Sequence, residues 1–162
     1  MIVISDTSPI INLAAIGYLH LLPQLFETIV IPKQVYEEIA YKGKGEPGSR
    51  EIESADWVSV QESENTELIY KLDEILDKGE SSAIALALEL KADYLLMDES
   101  LGREVAKKYN LHVMGLIGIL FNAKKHGLIP KVFPLVERLK TEAGFWISNN
   151  LLDEITRQDK DL

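Results

Sequence analysis

Four short runs rich in β-branched and apolar residues punctuate the chain: "IVIS" (2–5), "TIVI" (28–31), "YLLM" (94–97) and "HVMG" (112–115). The segments between them carry helical patterns. Strands that read as continuous apolar runs are buried on both faces, and strands alternating with helices pair in parallel because each return crosses over through a helix. The expected fold class is α/β, a central parallel sheet covered on both faces by helices. In such sheets ligands bind beyond the carboxyl ends of the strands. Asp6 stands at such an end.

The intervening helices are read from caps and breakers. Ser8 followed by Pro9 has the form of an N-cap with proline at the first helical position, opening a helix through "IINLAAI" that Gly17 ends. A second helix covers "YLHLLPQLF", and Pro32 opens a third that runs to about Tyr41. The stretch "KGKGEPGS" (42–49) reads as a flexible loop, and "DWVSVQ" (56–61) as a short edge strand. Two helices, 64–77 and 80–91, are expected to divide at Lys78-Gly79. Helices over "ESLGREVAKKY" and "LIGILFNAKKHG" follow the last two strands, and two more close the chain. A single domain is expected over 1–162, with 131–162 as a helical C-terminal extension.

The chain has 162 residues, 46% apolar and 27% charged, enough to bury about two thirds of its unfolded surface. It has no cysteine, which excludes disulfides and thiolate metal sites. The N-terminal apolar run lacks a basic start and is interrupted at Asp6, and no later run is long enough to span a bilayer. A cytoplasmic, membrane-free protein is expected. The net charge of -9 argues against a general nucleic-acid coat protein but leaves open a nucleic-acid enzyme or a basic protein partner.

Four acids stand out by position. If the strands at 2–5 and 94–97 are parallel, Asp6 and Asp98 leave the same rim of the sheet. On a helical wheel Glu38 borders the apolar side set by Val35, Tyr36 and Ile39, whereas Glu37 points further toward water. Glu80 opens a helix that is apolar nearly all round. Ordinary structural uses exist for three of them: Asp98 capping the next helix, Glu80 favouring a helix N-terminus, and Glu38 pairing with Lys42. Asp6 has none, because Ser8 already supplies the cap. Four converging carboxylates repel, each ionised pair costing roughly 4 kcal/mol at about 4 Å and an effective dielectric near 20. A hard divalent ion relieves that repulsion, and an all-oxygen donor set suits Mg²⁺ or Mn²⁺. His20, His112 and His126 have no ligand spacing and read as surface or strand-end residues.

The segments "VISDTSPIINLA", "IPKQVYEEI", "LDKGESSAIALALEL", "DYLLMDESLGREVA" and "HVMGLIGILFNAKKHGLI" together resemble a PIN-domain protein, of a prokaryotic subfamily related to toxin ribonucleases of toxin–antitoxin pairs. The resemblance runs from residue 1 to about 130. It implies an α/β/α sandwich and a nuclease in which Asp6, Glu38, Glu80 and Asp98 form the acidic quartet around Mg²⁺ or Mn²⁺. Glu80 departs from the commoner Asp of toxin members. Thr7 and Ser8 resemble the hydroxyl residues that steady the first acid, and Arg103 occupies the "GR" of the subfamily pattern as a substrate contact. The implied reaction is metal-dependent hydrolysis of phosphodiester bonds in single-stranded or structured RNA, without a side-chain nucleophile. The implied partners are RNA, an antitoxin protein and a second copy of the chain in a homodimer.

Lys107, Lys108, Lys124 and Lys125 read as solvated cations near helix C-termini, and Trp57, Trp146 and Tyr70 as core aromatics in preference to base-stacking ones. Two rival functions remain. A phosphotransferase of the haloacid-dehalogenase type also places an aspartate after its first strand, but wants a second one where Ser8 stands. A catalytically inactive PIN-like module would use the acidic pocket to bind nucleic acid or a basic protein segment.

Overall fold

The computed structural model describes residues 1–160. Five strands, β1 (Val3–Ser5), β2 (Ile29–Pro32), β3 (Val58–Gln61), β4 (Tyr94–Leu96) and β5 (Val113–Met114), form one sheet in the order β3-β2-β1-β4-β5. All pairings are parallel, with Ile4 opposite Val30, and Ser5 opposite Leu96. The strand order reverses direction between β1 and β4, so the crevice that such a reversal creates opens where Asp6 and Asp98 emerge.

Each strand alternates its side chains between two apolar layers. Val3, Ile29, Ile31 and Leu96 join a core with α1 (Thr7–Ala15), α2 (Leu21–Phe26) and α3 (Lys33–Glu37). The opposite face packs Ile4, Leu95 and Met97 against α5 (Thr66–Leu72), α6 (Lys78–Glu89) and α7 (Ser100–Lys108). The first core also takes α8 (Leu116–Lys125), α9 (Phe133–Glu142) and α10 (Asn149–Lys160) through Ile119, Leu135, Val136, Leu139 and Ile155. The α/β/α sandwich is as the alternation of strands and helices predicts, and β3 holds the edge position expected of "DWVSVQ".

Several local expectations are corrected. The first helix begins at Thr7, so Asp6 and not Ser8 holds the N-cap position, and Pro9 falls third in the helix. Proline is tolerated there because the first-turn N–H groups have no partner within the helix. The break expected at Lys78-Gly79 lies earlier: α5 ends at Leu72, and Asp77 caps α6, placing both residues inside its first turn. The loop after Lys42 gives way to a short helix, α4 (Ser49–Ser54), whose Glu51 carboxylate accepts the Gly48 N–H. Lys124 is not solvated. It is buried and paired at 2.9 Å with Asp159 of α10. Asp159 also accepts the N–H groups of Val132 and Phe133 at the start of α9, tying three C-terminal elements together.

Candidate metal centre

Asp6 is fixed first by the sheet. Its N–H donates to the Leu96 carbonyl at 2.9 Å, and its extended backbone turns directly into α1. The side chain makes no capping hydrogen bond to the helix. It is only 4% exposed and is directed toward the first turn of α6.

Glu38 arrives from the neighbouring strand. After β2 the chain enters α3, then widens into a π-helical turn over Glu38–Lys42, in which the Gly43 N–H reaches back five residues to the Glu38 carbonyl. Such turns recur at functional sites because they displace one side chain from the regular helical register. The Glu38 Oε2 accepts the Thr7 hydroxyl at 2.8 Å. Thr7 thus steadies the second acid, whereas the Ser8 hydroxyl accepts Asn12 Nδ2 and touches neither. No ion pair joins Glu38 to Lys42 among the described residues.

Glu80 forms a reciprocal capping box: Asp77 Oδ1 accepts the Glu80 N–H at 2.8 Å and Glu80 Oε1 accepts the Asp77 N–H at 3.2 Å. Its Oε2 remains, pressed toward Gly102 of α7, where a Cβ would come within 2.7 Å of it. Gly79 is the hinge of the arrangement. A Cβ there would lie 3.0 Å from Glu38 Oε2, 3.2 Å from Asp6 Oδ1 and 3.5 Å from Asp77 Oδ1, so three carboxylates share the space that a side chain would fill.

Asp98 sits on the other flank of the same rim. It does not cap the helix that follows it; its Oδ1 accepts the N–H of Leu116, the first residue of α8, at 2.8 Å. Its Oδ2 is buried without a partner among the described residues. The Arg103 guanidinium lies over Gly115 beside Asp98, in a gap that a Cβ at Gly115 would close.

Burial dominates the electrostatics. It raises the Asp6 carboxyl to about 7; the Thr7 N–H opposes this, and the charges of Asp77, Glu80 and Glu38 add to it. Burial likewise lifts Glu80 to about 7 against the Asp77 N–H, with the Asp77 and Glu99 charges adding. For Asp98 burial outweighs the Leu116 N–H and the Arg103 charge, leaving it at about 6. Groups held this way resist ionising until a cation joins them.

The structure therefore gathers Asp6, Glu38 and Glu80, adds Asp77 to them, and sets Asp98 with Arg103 on the adjoining flank. Among the described residues no three acids or histidines are already closed into a ligand cage. All three histidines are exposed. The donors nevertheless fit a hard divalent cation: every available atom is an oxygen, Asp98 Oδ2 is an orphaned buried acceptor, and the Gly79 cradle is lined by carboxylates. Asp77, Gly79, Gly102 and Gly115 were not singled out by sequence reasoning. Only Asp77 had a readable signal, the Asp-x-x-Glu capping pattern of "DKGE".

The chain is a parallel α/β/α sandwich with acids beyond the carboxyl ends of its strands, at the switch point of the sheet. The chain belongs to the PIN-domain family: the family's model, a PIN domain, matches residues 2–161 and so includes the two C-terminal helices. PIN domains are generally nucleases, and they typically use divalent metals. No curated protein matches the chain. No described helix is long and apolar enough to cross a membrane.

Proposed function

We propose that this protein hydrolyses phosphodiester bonds in RNA with Mg²⁺ or Mn²⁺, as the toxin of a toxin–antitoxin pair. The observation that supports this most is the nest around Gly79: the buried carboxylate of Asp6, the half-buried one of Glu38 and the exposed one of Asp77 converge on one spot, with Glu80 close enough to act on Asp6, and no ion pair relieves them among the described residues. At an effective dielectric near 20 an ionised pair about 4 Å apart costs roughly 4 kcal/mol, so stability does not explain the arrangement.

Asp6, Glu38, Glu80 and Asp98 are the groups that would hold the ion. When bound, it supplies Lewis-acid chemistry, acidifying water and offsetting charge on the phosphate. Thr7 holds Glu38 in the orientation that presents it to Asp6. Arg103 offers a fixed positive charge beside Asp98 for the substrate phosphate. The acidic body, at -9, suits a basic antitoxin segment, and the homodimer and cytoplasmic location belong to the same proposal.

Purified protein is expected to cleave RNA only with Mn²⁺ or Mg²⁺, and Asp6→Asn and Asp98→Asn to abolish cleavage while circular dichroism stays native. Cleavage retained by both variants would assign the activity to a contaminant. A second reading, an inactive binding module, draws on one observation: an oxygen of Glu80 and one of Asp98 are already committed to helix N-termini. RNA binding without metal-dependent cleavage would select it.

A further inference from the structure

Trp146 was expected in the core, yet it is 81% exposed. It belongs to the stretch between α9 and α10, where Phe145 packs on the core, Ile147 is buried, and the Phe145 N–H donates to the Leu139 carbonyl. With both neighbours turned inward, the indole between them is turned out and held there by a pinned backbone. It lines a cleft of about 470 Å³ together with Asp98, Ser100, Arg103 and Gly115. A second cleft of about 400 Å³ shares Asp98, Ser100 and Trp146 and extends past Glu99 to Ser8 and Asn12, so the guanidinium side, not this one, is where a phosphate fits. An outward indole thus stands beside both Asp98, whose Oδ2 has no partner among the described residues, and the Arg103 guanidinium of the rim.

We propose that Trp146 is a stacking platform for one base of a single-stranded RNA whose adjoining phosphate lies at Arg103, a subsite that rests on the nuclease reading above. The pairing is what favours RNA as the occupant. Every base offers a π-face to an indole whatever its identity, while the guanidinium recognises the phosphate and Asp98 marks the reacting end. Tyr70, also expected in the core, is 80% exposed but lacks this setting, because its cleft, shared with Glu67, Lys71 and Glu74, contains none of the four rim acids and is not shared with Arg103.

The test is the Mn²⁺-dependent cleavage of a single-stranded RNA by the full chain. Trp146→Ala should lower kcat/KM by roughly 5- to 150-fold, mainly through KM, the range carried by stacking one base. Trp146→Phe should keep most of the activity, Tyr70→Ala should match the parent, and all three should keep the parent's Tm. In a Trp57→Phe protein the remaining Trp146 emission should be quenched by the RNA. A parent that cleaves, with Trp146→Ala equal to it, overturns the platform alone; a parent that cleaves no RNA overturns the nuclease reading and the platform together. Loss of a dimer in Trp146→Ala with unchanged kinetics would make the indole a protein contact and also overturn the proposal.

Discussion

Asp6 is a carboxyl whose folded state prefers the proton. Its value of about 7, against 3.8 in the unfolded chain, means that its contribution to stability is fully present below the unfolded value and is lost as pH rises toward 7. Asparagine copies the protonated form. Asp6→Asn should therefore stabilise the metal-free protein at about pH 8 by roughly 2–4 kcal/mol, and by almost nothing near pH 4, in urea unfolding. A variant less stable than the parent at the higher pH would contradict the burial argument. Gly79 makes a complementary case. Alanine is the better helix former by about 1 kcal/mol, but its Cβ would press on Glu38 Oε2 and Asp6 Oδ1. Gly79→Ala should keep or gain thermal stability while losing the rise in Tm that Mn²⁺ gives the parent. Of the acids, Asp6 and Asp98 were legible from their place after strands, Glu38 from its helical wheel and Glu80 from the apolar helix it opens. Gly79 was not, since nothing in a helix-opening "KGE" says that two other elements aim carboxylates at it.

At the scale of the element, how an acid is presented depends on its helix. The apolar pattern of Val35 and Ile39 places Glu38 on an inward edge, but the π-helical turn that begins with it follows from a five-residue hydrogen bond, which no 100° wheel contains. The start of α6 was misplaced for a related reason: glycine at 79 was read as a break, whereas the capping box of Asp77 and Glu80 carries the helix through it. The C-terminal helix is held by Ile155 in the core and by one polar side chain. Asp159 is buried, which alone would raise its pKa, but the N–H groups of Val132 and Phe133 and the Lys124 ammonium outweigh burial and hold it low. Asp159→Ala strands a buried Lys124 and should cost about 3–5 kcal/mol near neutral pH. Because the folded pKa is depressed, the aspartate's contribution is present above the usual carboxylate range and lost as pH falls through it. The difference between parent and variant in urea titrations should shrink accordingly. A constant difference would show that packing, not charge, anchors the helix.

For the whole molecule, three raised carboxyls point one way. Asp6, Glu80 and Asp98, at about 7, 7 and 6, all bind protons in the folded state that the unfolded chain releases. Metal-free stability should fall between about pH 4 and pH 7, and a divalent ion should restore it most at and above the upper end, where its ligands are ionised; at a hundredfold its Kd an ion adds about 2.7 kcal/mol. The architecture was readable because short buried strands alternating with helices leave few parallel arrangements. How the acids divide along the rim was not, because Asp98 is drawn aside by Leu116, a residue 18 positions on that only the tertiary fold brings to it. The most direct test is a crystal soaked in Mn²⁺ and read by anomalous scattering. The account predicts a peak within coordination distance of Asp6 and Glu38, on the side open to Glu80 and Asp98. Peaks confined to surface carboxylates, with the space around Asp6 empty, would contradict it.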